Sequence, residues 1–335
     1  MKRYLVTGAA GFIGSTVAQQ LLDAGHAVVG IDNLNDAYDP RLKQWRLERL
    51  LPRQNFTFHA FDIADRDAVA ERFAEDAAAT GFDCLPYSAV INLAARAGVR
   101  PSVEDPWVYF QANTTGTLNL LESCRRRGVK KFVLASSSSL YGATNPVPFA
   151  EDADTNQPVS PYAASKKAAE TLCYSYHHLH GLDVTVFRYF TVYGPAGRPD
   201  MSVFRFVRWI AEGHSLTLYG DGTQKRDFTY VDDIARGTIA GLKPVGYEVI
   251  NLGGDRPIAI SAVITQLGNL LGKQPKIDHR PAHPADVPAT WANVEKARNL
   301  LDWQSRIGIE EGLGRCVTWY QENRDLASTL DLGAG

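Results

Sequence analysis

The segment Val6-Thr7-Gly8-Ala9-Ala10-Gly11-Phe12-Ile13-Gly14 joins the apolar run Tyr4–Thr7 to a helical pattern over Ile13–Leu22. No other feature restricts the fold as much. A helix start carries unpaired backbone N–H groups and the positive end of the helix dipole, and so accepts phosphate. Glycine is required there because a Cβ would block both the tight turn and the close approach of a pyrophosphate. The spacing is GxxGxxG rather than GxGxxG, and its weight comes from the order strand, turn, helix.

That order repeats. Further apolar runs lie at Ala27–Ile31, Phe56–Ala60, Ala89–Leu93, Phe132–Ala135 and Val184–Phe187. Helical patterns between them cover Asp67–Ala78, Val108–Arg126 and Ala163–Leu179, with an extra amphipathic helix at Asp39–Leu51. Such alternation predicts an α/β fold, a Rossmann-type doubly wound parallel sheet covered on both faces. After Gly194 the elements shorten, with helices expected at Val203–Ala211, Val231–Leu242, Ser261–Leu271, Val294–Leu301 and Glu310–Glu322. Strands are expected at Leu216–Tyr219 and Glu248–Asn251. This predicts a nucleotide-binding domain over 1–193, with returning segments at about 227–252. A smaller substrate lobe takes 194–226 and 253–325, and a partly disordered tail takes 326–335.

Asp32 ends the second strand, eighteen residues after Gly14. A carboxylate there accepts hydrogen bonds from both adenosine ribose hydroxyls and repels a 2′-phosphate, which selects NAD over NADP. Asp62 follows the third strand and Leu93-Ala94-Ala95 the fourth, at the carboxyl edge where such folds bind ligands. Asp62 suits the adenine, and the two alanines admit the cofactor backbone; either segment also reads as a plain turn.

The 35 basic and 37 acidic residues give a formal charge of −2, which suggests neither a nucleic-acid nor a membrane surface. The densest basic group, Arg125-Arg126-Arg127 with Lys130-Lys131, reads as a helix end facing water. Cys84, Cys124, Cys173 and Cys316 are scattered, so neither a metal site nor a disulfide framework is expected. The chain shows no signal peptide and no stretch long enough to span a bilayer, and a reducing cytoplasm is the expected location.

Tyr162 and Lys166 stand four apart in Pro161-Tyr-Ala-Ala-Ser-Lys-Lys, on one helix face, with Ser160 as N-cap. An ammonium beside the phenol, with a positive nicotinamide ring, favours the phenolate and makes Tyr162 a base near neutral pH. The fifth strand ends in Ala135-Ser136-Ser137-Ser138-Ser139, whose hydroxyls would face the same cleft.

Several ordered segments now combine: TGAAGFIG, Asp32-Asn33-Leu34-Asn35, NLAARAGVRPS, SSSSLYG, PYAASK, FRYFTVYGP, GRPDM, GDGTQKRDFTYVDDIA and ADVPAT. From about residue 3 to 322 the chain resembles the extended short-chain dehydrogenase/reductases. Within them it is most similar to the sugar-nucleotide 4-epimerases, above all those acting on UDP-glucuronate. The resemblance implies Ser137 as the catalytic hydroxyl, Tyr162 as base and Lys166 as its partner. It implies an NAD site formed by Gly8, Gly11, Phe12, Ile13, Gly14, Asp32, Asn33, Asn35, Asp62, Ile63, Leu93, Ala94, Ala95, Tyr162, Lys166 and Tyr189. For the UDP-sugar it implies Arg226 on the diphosphate, Tyr219 at the uracil and Asp286 on the ribose. The simpler reading is a bridge to Asp227 or Asp232 for Arg226, and core packing for Tyr219. Three residues before Asp286, His283 replaces an arginine found in many galactose-type epimerases.

Related dehydratases and decarboxylases add an acid just after the catalytic hydroxyl, where this chain has Ser138 and Ser139. Neither is a general acid near neutral pH, so simple C4′ epimerisation with retained NAD is expected. Ser138, Ser139 and Thr191 near Arg198 suit a sugar carboxylate, and Arg100 and Ser102 fit the uronate pattern. The expected reaction interconverts UDP-glucuronate and UDP-galacturonate through a 4-keto sugar. The alternatives are a UDP-glucose or UDP-N-acetylglucosamine 4-epimerase, a UDP-glucuronate decarboxylase, and a non-catalytic NAD-binding protein. Helices Val108–Arg126 and Ala163–Leu179 resemble those that pair in family homodimers.

Overall fold

The computed structural model describes residues 1–80, 85–281 and 287–333. Asp286, His283 and Cys84 lie outside the described residues. In chain order the first half comprises β1 (Arg3–Thr7), α1 (Phe12–Asp23), β2 (Ala27–Asp32), α2 (Pro40–Leu50), β3 (Phe56–Ala60), α3 (Arg66–Thr80) and β4 (Ala89–Asn92). Two short helices, α4 (Pro101–Glu104) and α5 (Pro106–Tyr109), a π-helical segment (Phe110–Thr115) and α6 (Gly116–Arg127) follow. Then come β5 (Lys131–Ser137), α7 (Pro161–His180), β6 (Asp183–Tyr189) and β7 (Thr191–Tyr193). The remainder holds α8 (Ser202–Glu212), β8 (Ser215–Tyr219), β9 (Lys225–Arg226), β10 (Phe228–Tyr230), α9 (Val231–Ala240) and β11 (Tyr247–Leu252). It ends with β12 (Ile258–Ala259), α10 (Ile260–Leu271), β13 (Lys276–Arg280), α11 (Glu295–Leu301), α12 (Ile309–Glu322) and α13 (Arg324–Ala327).

The seven-stranded sheet has the order β11-β6-β5-β4-β1-β2-β3, and every pairing in it is parallel. Strand order reverses between β1 and β4, so the crevice that receives ligands opens at the carboxyl ends of those strands. Central strands are buried on both faces: β5 is buried throughout and β1 in four of its five residues. One cluster packs α1, β11 and the 292–303 segment on one face; the other packs α3, α6 and α7 on the opposite face. A third cluster, built from α8, α10 and α12, forms the core of the smaller lobe.

Four local features differ from the sequence reading. First, the run Val108–Arg126 is not one regular helix: it passes through the π-helical turn at Phe110–Thr115. There the Asn113 side chain accepts from Arg96 N (2.9 Å) and donates to Arg96 O (3.0 Å) and Ser165 Oγ (2.9 Å), joining the loop after β4 to α7. Second, α11 packs on the large sheet through Ala297, with Trp303 close behind, although its position in the chain placed it in the smaller lobe. Third, Lys131 does not face water; it is buried and paired with Asp183 and the Thr185 hydroxyl. Fourth, the tail as far as 333 is packed: Leu330 is buried, and Arg208 and Arg205 donate to the carbonyls of Leu330 and Leu332. Short apolar runs carry no sign of these side-chain anchors.

Candidate active site

The glycine turn comes first. Gly8 has φ of +68°, and a Cβ on it would lie 2.8 Å from Ala94 N. A Cβ on Gly14 would lie 2.0 Å from Gly8 O, so the turn closes only without side chains. The Asp32 carboxylate fixes its far side, accepting from Ala10 N (3.2 Å) and Leu34 N (2.9 Å). Around it, Asn33 donates to Asp62 (2.7 Å), and Lys43 donates to Asn35 (2.9 Å) while facing Asp32 at 3.5 Å. These groups suit an adenosine ribose and a diphosphate, so the residues present fit a dinucleotide.

One cavity of about 780 Å³ runs from this turn to the substrate lobe. It is lined by Gly8, Gly11, Phe12, Ile13, Gly14, Asp32, Asn33, Asn35, Asp62, Ile63, Leu93, Ala94 and Ala95, then by Ser137, Tyr162, Lys166 and Tyr189. Arg100, Ser138, Ser139, Thr191, Arg198 and Arg226 line it further along. Two expected substrate residues sit differently. The buried Ser102 hydroxyl donates to Val99 O (2.6 Å) and so holds the loop after β4. Tyr219 lies under the Arg100 guanidinium, 4.5 Å from ring centre to carbon, and so borders the cavity through Arg100. Arg226 donates to the carbonyls of Lys225 and Val287, both at 2.9 Å.

At the centre, Ser160 caps α7 through Ala163 N (3.1 Å). Burial pushes the Tyr162 phenol above its ordinary value; a hydrogen bond with Ser137 and the charge of Arg198 draw it the other way. Ser137 caps the following turn, accepting from Ser139 N at 3.1 Å and donating to Ser139 Oγ at 3.0 Å. The Nζ of Lys166 donates to Ala135 O (2.8 Å), because the last carbonyls of β5 lie within its reach. Burial pulls its ammonium down to about 8 against the opposing pull of Glu170. Arg198 makes a two-point contact with Asp200, at 3.0 and 2.6 Å.

Several cavity residues escaped the sequence reading. Tyr38 is ringed by Lys43, Arg46 and Arg198, with each cationic centre 5.2–5.5 Å from its ring centroid. Arg46 donates to Tyr38 Oη (2.8 Å), to Ala10 O (3.3 Å) and to Ala196 O (2.6 Å), and so joins the glycine turn to the 194–198 segment. The available signal was Lys43 and Arg46 standing three apart on the apolar face of α2, among Leu42, Leu47 and Leu50.

A doubly wound sheet, a glycine turn at its switch point and a Ser-Tyr-Lys set in one cleft define a nucleotide-cofactor enzyme of the dehydrogenase/reductase type. Residues 4–253 match the NAD dependent epimerase/dehydratase family. The chain is 56% identical to the UDP-glucuronate 4-epimerase of Thermodesulfobacterium geofontis over 98% of its own length and 99% of that protein's. The fold matches the UDP-glucuronic acid 4-epimerase of Bacillus cereus, solved with UDP-glucuronic acid and NAD, with a TM-score of 0.87. That pair is 36% identical, over 96% of this chain and 99% of the other. It also matches the UDP-glucose 4-epimerase of Thermotoga maritima, solved with UDP-glucose, at TM-score 0.86 and 30% identity over 96% and 99%. The chain belongs to the NAD dependent epimerase/dehydratase family, and its cofactor is NAD.

Proposed function

We propose that the protein is a UDP-glucuronate 4-epimerase, interconverting UDP-glucuronate and UDP-galacturonate through a transient 4-keto sugar. The carrying observation is that Ser137, Tyr162 and Lys166 line the same cavity as Ser138, Ser139, Thr191 and Arg198. NAD, when bound, would supply the acceptor and donor for the C4′ hydride. Tyr162 Oη takes the proton of the 4′-hydroxyl and gives it back, with Ser137 holding the same oxygen. Lys166 supplies positive charge under that exchange. Arg198, with the hydroxyls of Ser138, Ser139 and Thr191, holds the C5 carboxylate, because a 4-keto uronate is a β-keto acid that loses CO2 when its carboxylate is free to turn. Arg226 serves the diphosphate, with Tyr219 at the uracil and Asp286 on the ribose. Comparing kcat/KM for UDP-glucuronate and UDP-glucose tests the reading, and a preference for the neutral sugar overturns it.

The working unit is a homodimer. Val103, Trp107, Phe110 and Leu118 stand exposed along 101–127, as do Tyr174 and Leu179 on the adjoining α7. Such a patch is what paired helices cover. The location is cytoplasmic, in keeping with the free buried thiols of Cys124, Cys173 and Cys316. No helix among the described residues is long and apolar enough to cross a membrane.

A further inference from the structure

Glu170 follows Lys166 by one turn of α7 and Tyr162 by two, on the same face. Its carboxylate is buried, 3% exposed. One oxygen accepts from Ser136 Oγ (2.5 Å) and Arg188 Nε (3.1 Å), the other from an Arg188 terminal nitrogen (2.9 Å). Ser136 and Arg188 are cross-strand partners of β5 and β6, so one side chain ties α7 to two strands directly behind the reacting groups. Three consecutive residues of β5 then serve three groups: Ala135 O holds Lys166, Ser136 holds Glu170, and Ser137 meets Tyr162.

We propose that Glu170 is a positioning residue for the reaction: its carboxylate is the counter-charge of Lys166, and Arg188 and Ser136 hold that carboxylate at the right height on α7. The inference rests on the assignment of Lys166 to the epimerase site. Among the described residues no carboxylate lies in direct contact with Lys166, and the charge of Glu170, one helical turn on, opposes the downward pull of burial on its ammonium. The other groups facing this pocket do not replace it. On the cleft side stand Tyr162 with Ser137 and Arg198. Cys173 on α7 and Cys124 on α6 are thiols pushed up by burial, as is the Tyr247 phenol on β11, and all three are neutral. On β6 the guanidinium of Arg188 lies 4.9 Å from the Tyr141 ring centre and donates to Glu151 O (3.1 Å). The Glu151 carboxyl, raised by burial, receives Asn251 N instead. A nearby opposite charge of this kind shifts a titration by about one unit or more.

Glu170→Gln keeps the shape and removes the charge but strands a buried guanidinium, which is costly. Glu170→Gln/Arg188→Gln leaves neither charge unpaired and is measured beside it. The readout is the titration of Lys166 in the NAD-loaded protein, followed by NMR of 13C-labelled lysine and assigned with Lys166→Arg. It needs no sugar, so its outcome is separate from that of the UDP-glucuronate assignment, which is read from product. The midpoint is expected to fall by about one pH unit in the single variant where it folds, and in the same direction by less in the double variant, which also loses the opposing charge of Arg188. The alkaline limb of kcat should move down with it while KM stays unchanged. A Lys166 midpoint unchanged in the double variant overturns the proposal, whatever the activity lost.

Discussion

Arg198 and Asp200 meet as fork on carboxylate, at 3.0 and 2.6 Å, on the wall of the cavity that also holds Tyr162. Burial pulls the guanidinium down, and Asp200 with the Tyr38 and Tyr162 phenols more than offsets that pull. Its neighbour Tyr38 fixes the plane from the other side. An arginine so held is pre-organised for a second carboxylate, since its remaining donors point where its fixed plane directs them.

Replacing Arg198 by Met should therefore act on one substrate more than another. A hydrogen bond to a charged group contributes about 1.5–3 kcal/mol, so kcat/KM for UDP-glucuronate should fall about 10- to 100-fold further than for UDP-glucose. Steady-state rates on both sugars measure this. Equal losses would assign Arg198 to the fold alone.

Tyr162→Phe keeps the ring against Tyr109, at 6.0 Å between centroids, and removes only the hydroxyl. Turnover should drop by about 10²- to 10⁴-fold with NAD still bound, as read by absorbance of the purified protein. In the unaltered protein, activity should fall above about pH 8. The sign follows from Lys166, whose ammonium burial holds near 8, so that rising pH removes the charge beneath Tyr162.

Asp32→Ala removes the acceptor of Ala10 N and Leu34 N and leaves Lys43 without its carboxylate. NAD affinity should fall while NADP affinity rises, because the repulsion of a 2′-phosphate is gone and a cation remains beside its place. Calorimetric titration of cofactor-stripped protein gives both constants, and an unchanged ratio would remove Asp32 from cofactor choice.

How much of this could be read in the sequence depended on whether the signal was local. The seven parallel strands were legible, apart from their ends, because buried strands read as apolar runs and the glycine turn fixes where the first helix begins. Tyr162 and Lys166 were legible from their spacing, Ser137 and Arg198 through the resemblance, and all four line one cavity. Lys43, Arg46, Tyr38 and Glu170 were not, because their partners lie far along the chain: Arg46 reaches Ala196, and Glu170 reaches Arg188. The π-helical turn at Asn113 was missed for the same reason, since a partner at Arg96 decides it.

Trp107 on α5 is 81% exposed, and Leu118 on α6 is exposed as well. On the proposed homodimer, light scattering should give a dimer mass for the unaltered protein and a monomer mass for Trp107→Glu with Leu118→Arg, with NAD still bound. A particle mass unchanged by the pair would place the interface elsewhere.

The most direct measurement is incubation of the purified protein with UDP-glucuronate, followed by NMR of the sugar. UDP-galacturonate, with its altered H4′ coupling and an intact carboxylate, is the expected product. A UDP-pentose formed with release of CO2, or unchanged UDP-glucuronate, would contradict the assignment.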